Sequence, residues 1–342
     1  MARLDRAHEV EKSMTVKDTE PFTVAGATAP VPTAAQLQQS QLEGLETKQL
    51  TQFQLAWMRF RRHHLAMVGV TVLMLMTLMA IFAPWISPEN IYNPMSADIF
   101  NAAEKAPTFS QGLRYIFGAD FNGHSIAAQI IYGARFSLLI GFSSAVFSSL
   151  IGVTVGAVAG YFGGWVDSVL MRLVDVFLAL PFLPVLLVAA AIFGGGHTSV
   201  LLVILILAFF GWAYVARLLR ASFLTLRSAE YTEAARAVGV SNSRIMFRHM
   251  LPNALRPILV ATTLAVASNI ITEAAIDFLG LGLQYPDTSW GSVLSFAQSD
   301  PQGISGAPWV TIFPGLFLVA TVVAVNFLGD GLSDALDVRM KD

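Results

Sequence analysis

The chain has 342 residues, 55% of them hydrophobic and only 13% charged, a balance outside the range of soluble globular domains. Its formal net charge of -2 carries no information until the charges are placed along the sequence. Cysteine is absent, which excludes disulfides, thiolate metal sites and cysteine nucleophiles.

Residues 1–50 mix Pro, Thr, Gln, Glu and Ala without an apolar period or a signal-peptide core, and read as a mostly disordered tail with helical tendency near "TAAQLQQSQLEGL". Residues 51–86 combine a basic anchor, "RFRRHH" at 59–64, with a first apolar span. Stretches without Asp, Glu, Lys or Arg follow at 63–88, 136–166, 176–216, 257–272 and 301–329, against roughly 20 residues needed to cross hydrocarbon. "GGGHTS" at 194–199 is a turn signal that divides the third stretch, and the fourth continues through Glu273 and Asp277 to about 282. Six helices are therefore expected, over 64–86, 136–160, 170–193, 199–219, 257–282 and 309–329. Backbone groups cannot stay unpaired in lipid, and apolar runs of this length without alternation rule out a barrel, so the fold class is an all-α polytopic membrane protein. Residues 87–135 form the segment outside the membrane before the five-helix core at 136–335.

With six spans both termini share one side. Only Lys105, Arg114 and Arg135 of the 21 basic residues fall on the other, so the tail's side is cytoplasmic, as is the short C-terminus 336–342. Residues 220–256 are then a cytoplasmic loop rich in arginine. Ser228 is a plausible N-cap with Glu230 in the first turn, and Gly239 falls where a helix ends in a left-handed residue. Ser241 can cap a second short helix, "NSRIMFRHM", which Pro252 is expected to terminate. Ala234, Ala235, Val238, Ile245, Met246 and Phe247 give this pair an apolar side. By composition alone it reads equally well as an interfacial loop lying on lipid headgroups.

Inside the membrane, Glu273 and Asp277 are four residues apart on one helical face and would repel if both were ionised. Acidic groups at such depth face a watery path or a partner, which makes them candidates for a translocation pathway. A structural, solvated position near the outer interface is the alternative. Gly152, Gly156 and Gly160 repeat at the spacing that lets helices approach closely. Arg172 and Asp175 can pair on one face, and Pro181 and Pro184 should kink the third span.

No glycine precedes any of Lys12, Lys17, Lys48, Lys105 or Lys341, so no G-x-x-x-x-G-K-[ST] occurs and the chain has no phosphate-binding loop of that kind. The histidines lack H-x-x-x-H spacing for a zinc centre, and G-x-S-x-G is missing. No catalytic residue, metal or cofactor is assigned to the chain, and no nucleic-acid partner is expected. Membrane lipid surrounds it.

Glu-Ala-Ala at 233–235, then Gly239, then His-Met-Leu-Pro-Asn at 249–253, resembles the EAA loop of ABC importer permeases in order and spacing. "FGADFNGHS" (117–125), "GYFGGWVDSVLMRLVDVFLALP" (160–181), "FLGLGLQYPDTSWG" (278–291) and "APWVTIFPG" (307–315) are similar to further segments of the C-type permease subunits of dipeptide, oligopeptide and nickel importers. The resemblance covers residue 55 onward and implies the type I importer permease fold. It also implies a heterodimer with a B-type permease, two cytoplasmic ATP-binding subunits that hold ATP and Mg, and an extracytoplasmic substrate-binding protein. Glu233, Ala234, Ala235, Gly239, His249, Leu251, Pro252 and Asn253 would then couple the chain to the ATPases. Glu233 would be in the contact, Gly239 would set the bend, and Leu251 to Asn253 would join the elbow to span five. The sequence departs from the family at Ala119, His124, Ser125, Asp277 and Val338. The rival readings are an ion-gradient transporter using Glu273 and Asp277, which should show inverted repeats, and a non-transporting membrane scaffold.

Overall fold

The computed structural model describes residues 52–87, 103, 105–110, 114–195, 198–283, 287–299 and 306–336. The N-terminal tail, most of the 87–113 segment, and residues 337–342 with Val338 lie outside them. The described residues are helical, with two isolated bridges, Ala119 to Ser125 and Thr198 to Leu283.

In chain order the helices are α1 Gln52–Arg62, α2 His64–Ile81, α3 Ala83–Ile86, α4 Ile126–Phe162, α5 Gly164–Ala179, α6 Phe182–Gly194, α7 Val200–Arg227 and α8 Glu230–Ala237. They are followed by α9 Asn242–Phe278, α10 Trp290–Gln298 and α11 Trp309–Leu336. Helices α2, α4, α7, α9 and α11 are each long and apolar enough to cross a membrane. Helices α5 and α6 make a sixth, bent pair at 87°.

Helix ends follow local chemistry. His63 Nδ1 accepts the Ala66 N–H at 3.1 Å to start α2, Ser125 Oγ accepts that of Ala128 at 3.2 Å to start α4, and Ser199 Oγ accepts that of Leu202 at 3.3 Å to start α7. Ser289 and Ser292 form a reciprocal capping box on α10. These hydroxyls and the imidazole satisfy amide groups that would otherwise be orphaned at a helix start.

Three expectations are corrected. The second span begins at Ile126, ten residues before the uncharged stretch, because a helix continues past the hydrocarbon and Arg135 is carried on it. The third span is not one kinked helix: Leu180 adopts an extended conformation (ψ 138°), the form favoured before proline, and the chain restarts as α6. Pro184 sits in the first turn of α6, where its missing N–H breaks no intrahelical bond. Asp175 pairs with Arg217 of α7, and not with Arg172 on its own helix.

The most extensive pairing joins α4 to α7. Gly152, Gly156 and Gly160 lie along that seam, facing the Trp212 carbonyl, the Ala216 carbonyl and the Phe223 Cβ. A Cβ built at each would stand 2.6, 2.5 and 2.5 Å from those atoms, so the backbones approach to a distance only glycine permits. A second layer packs α2 against α11, with Gly69 against the Ala324 carbonyl, while α11 also contacts α9. Helix α10 closes one end of the bundle. Its Trp290 is fully buried and donates Nε1–H to the Ile130 carbonyl at 3.0 Å.

Candidate functional site

The polar loop between α7 and α9 folds into a bent elbow at the opposite end of the bundle from α10. Helix α8 starts from Ala229, not Ser228, whose hydroxyl instead donates to the Thr225 carbonyl at 3.2 Å. Gly239 adopts φ +76°, with its N–H on the Arg236 carbonyl and the Val240 N–H on the Ala235 carbonyl, a Schellman-type ending that turns the chain. Ser241 then holds the N-cap backbone position of α9, although its side chain makes no capping bond.

Pro252 does not stop the second arm. Residues Ile245–Met250 form a π-helical turn that runs directly into Leu251–Phe278, placing Pro252 in the first turn of that segment. The wider i to i+5 spacing absorbs the proline, and Asn253 Nδ2 adds a hydrogen bond to the His249 carbonyl at 2.8 Å. The second arm is therefore a rigid extension of span five.

The elbow is sorted by burial. Ile245, Met246 and Met250 pack with Ala254, Leu219, Phe223 and Tyr161 in one apolar cluster. Thr232 is buried and donates to the Leu226 carbonyl at 2.8 Å, fixing α8 against the end of α7. Glu233, Ala234, Pro252 and Asn253 are exposed, Ala235, His249 and Leu251 half-buried. Val238, 79% exposed, stands out beside Gly239, and Tyr231 and Phe247 are also exposed. The residues expected to form one apolar side thus split between an anchored face and an outward one. Arg236, Arg244 and Arg248 are exposed as well. The arrangement is a solvent-facing arm carrying two acids, Glu230 and Glu233, in the first turn of α8, with apolar residues next to them.

Two ion pairs brace the helices behind the elbow. Arg220 holds both oxygens of Asp167 at 2.6 Å, and Arg217 pairs with Asp175, tying α5 to α7.

Glu273 and Asp277 turn into the packed interior, at 0% and 2% exposure. Glu273 Oε2 accepts from Ser137 of α4 at 3.2 Å, while Asp277 accepts from the Leu283 N–H at 2.9 Å and from the Ser289 hydroxyl. Trp290 N–H donates to the same Ser137 oxygen at 3.3 Å. A Cβ at Gly282 would collide with Asp277 itself. The pair is the centre of a polar knot that fastens the α9–α10 connection to α4. Glu273 Oε1 has no partner among the described residues.

Neither carboxylate reaches the groove of about 460 Å³ that opens beside the α5–α6 break, between α7 and α9. Phe177, Leu180, Phe210, Tyr214, Leu264 and Asn269 are among its lining residues. Sequence reasoning missed this surface. Its one local signal was the Leu180–Pro181 step, which creates the bend that leaves the space.

Near α10, the 114–125 segment is tied down by Asp120. That carboxylate accepts from the backbone N–H groups of Asn122 and His124 at 2.9 and 2.8 Å, from Gln129 Nε2 at 2.8 Å, and contacts His124 Nδ1 at 3.3 Å. The Asp120 hydrogen bond raises the His124 pKa above the ordinary 6.5, against the opposing effect of burial. A raised value means the charged pair is fully present below pH 6.5 and fades as pH rises through the elevated pKa. Hydrogen exchange of the 118–125 amides is therefore expected to quicken as pH rises above 6.5, beyond the intrinsic base-catalysed increase. His124→Ala should remove that excess.

Residues 152–342 match the family of binding-protein-dependent transport system inner membrane components, and residues 51–107 match the N-terminal transmembrane domain of oligopeptide transport permease C. The chain is 38% identical over 290 residues to the dipeptide transport system permease protein DppC of Alkalihalophilus pseudofirmus, covering 84% of this chain and 90% of that protein. It is 36% identical over 299 residues to the oligopeptide transport system permease protein OppC of Bacillus subtilis, covering 87% and 93%. It is also 37% identical over 285 residues to the glutathione transport system permease protein GsiD of Pectobacterium atrosepticum, covering 83% and 90%. With relatives aligned over more than four-fifths of its length, the chain belongs to the binding-protein-dependent transport system inner membrane components, the permease subunits of ABC importers.

Proposed function

We propose that the chain forms one half of a translocation pathway for peptides or similar small solutes, and that its elbow seats against a separate ATP-hydrolysing subunit. The observation that carries this reading is the elbow itself: an exposed Glu233 and Ala234 on α8 and Val238 at its end, joined through Gly239 to a second arm that runs unbroken into span five. Closure of an ATPase pair around nucleotide and Mg would push this arm, and the push would enter the bundle through α7 and α9. The other half of the pathway would be a second, B-type permease, with two ATP-binding subunits on the cytoplasmic side and a binding protein delivering solute outside. Both termini would be cytoplasmic, in agreement with the distribution of Lys and Arg.

The groove beside the α5–α6 break is the better candidate for a pathway wall than Glu273 and Asp277. It is open, and the two carboxylates are spent on internal hydrogen bonds. DppC, OppC and GsiD are named for dipeptide, oligopeptide and glutathione transport, which supports a peptide-like solute here.

Uptake by the complex reconstituted in proteoliposomes tests the reading. It is expected to require both ATP and the binding protein, and to persist when ion gradients are collapsed with ionophores. Uptake that follows an imposed proton or sodium gradient without ATP would overturn it.

A further inference from the structure

We propose that Tyr161 is a positioning residue that carries movement of the elbow into the second span. The inference rests on the coupling role given to the elbow above, and adds a route that neither span four nor span five provides.

Tyr161 lies one residue before the end of α4 and is 5% exposed, in the apolar cluster shared by α4, α7 and α9. Its hydroxyl donates to Asn242 Oδ1 at 2.7 Å, and Asn242 is the first residue of the elbow's second arm. Its ring lies beneath the guanidinium of Arg236, on the last turn of α8, at 5.8 Å. One side chain therefore touches both arms.

The joint between those arms is Gly239, and a Cβ placed there would meet nothing within 4 Å. Beyond the two Schellman-type hydrogen bonds and the partly buried Val240, little at the joint itself opposes a change of angle, and a glycine resists such change less than any other residue. The angle is instead held by what the two arms contact together. Tyr161 is such a contact, and its buried ring gives it little room to follow one arm without the other.

The remainder of α4 is built to pass such a movement on. Gly152, Gly156 and Gly160 press it against α7, Ser149 hydrogen-bonds to Thr262 of α9 at 2.8 Å, and Asn269 Nδ2 of α9 reaches Ser144 Oγ at 2.8 Å. A displacement received at Tyr161 reaches helices that border the groove, since α7 and α9 both line it. Loosening the tether should let the ATPases turn over while less of each cycle reaches the pathway.

The test compares Tyr161→Phe, Asn242→Ala and the double variant in the full complex in proteoliposomes, scoring uptake per ATP hydrolysed alongside copurification of all subunits. Tyr161→Phe keeps the ring and its contact with Arg236 and removes only the hydroxyl. Each single variant is expected to assemble normally, to hydrolyse ATP, and to move roughly fivefold less solute per ATP, the factor that corresponds to a hydrogen bond worth about 1 kcal/mol. The double variant should be no worse than either single, since both remove the same bond.

Unchanged uptake per ATP in both singles, effects that multiply in the double, or a parallel fall in assembly, hydrolysis and uptake in Asn242→Ala would each overturn the proposal. Should Tyr161→Phe fail to assemble, Asn242→Ala at an exposed position decides the question alone. Glu233→Lys serves as the comparator. If it uncouples while the Tyr161 and Asn242 variants do not, the tether is wrong and the elbow's role stands. If it too is without effect, the coupling role itself fails.

Discussion

Gly156→Val is expected to remove most of the folded chain from the membrane. A Cβ at this position would stand 2.5 Å from the Ala216 carbonyl oxygen and 3.0 Å from the Leu219 Cβ. Those neighbours are backbone and the root of a buried side chain, and neither can rotate away. Overpacking costs roughly 1–3 kcal/mol where the surroundings can shift. Here the whole α4–α7 seam would have to open, which also separates Gly152 and Gly160 from their partners. The loss should exceed that of an ordinary core substitution. Gly156→Ala should show a smaller fall, and Gly315→Ala should show none, because nothing lies within 4 Å of a Cβ there. Membrane yield and the midpoint of thermal aggregation in detergent would rank the three.

Glu233→Lys is expected to lower solute uptake more than tenfold, a change of about 1.4 kcal/mol or more, while leaving the chain folded. The side chain is exposed, so its replacement creates no cavity and no buried charge. Its position in the first turn of α8 means that a cation there opposes the helix dipole, at a local cost of about 0.3–1 kcal/mol. That penalty is small beside the anchoring of α8 through buried Thr232 and its hydrogen bond to Leu226. If Glu233 seats in a partner's groove as proposed, reversing its charge would be far more disruptive, because the partner would be left with an unmatched group. Uptake and subunit copurification, measured together, separate a lost contact from a lost fold. Normal uptake by the variant would remove Glu233 from the contact.

The sequence carried the number of spans and the position of the elbow, for physical reasons that apply to any bilayer protein. Uncharged stretches near 20 residues mark what lipid demands, and the spacing from Glu233 through Gly239 to Asn253 survives as two arms about a left-handed glycine. Helix ends were less legible, because hydrocarbon limits where charge is costly and does not limit where a helix stops; α4 begins ten residues before the 136–166 stretch and carries Arg135 at its edge. Pro252 misled for a related reason. A proline reads as a terminator in the middle of a helix but is harmless in a first turn, and only the π-helical turn before it shows which applies.

Partners distant in sequence were out of reach altogether. Arg172 and Asp175 have suitable spacing for a local pair, yet Asp175 is taken by Arg217, 42 residues away. Glu273 and Asp277 do share a face, as their spacing dictates. That the face is met by Ser137, Ser289 and the Leu283 amide, and not by the groove, depends on how α4 and the α9–α10 connection pack. The Tyr161–Asn242 bond spans 81 residues and leaves no periodic trace.

The central claim is that an ATP-hydrolysing subunit sits on the elbow from inside the cell. Because the chain has no native cysteine, Val238→Cys creates a single thiol at a residue that is 79% exposed on the outward face. A short bifunctional cross-linker applied to inner membranes bearing the intact complex should join this thiol to an ATP-hydrolysing chain, with a yield that changes between nucleotide-free and ATP-trapped states. Labelling of the same thiol in intact cells by a membrane-impermeant reagent, or its failure to capture any ATP-hydrolysing neighbour in either state, would contradict the account.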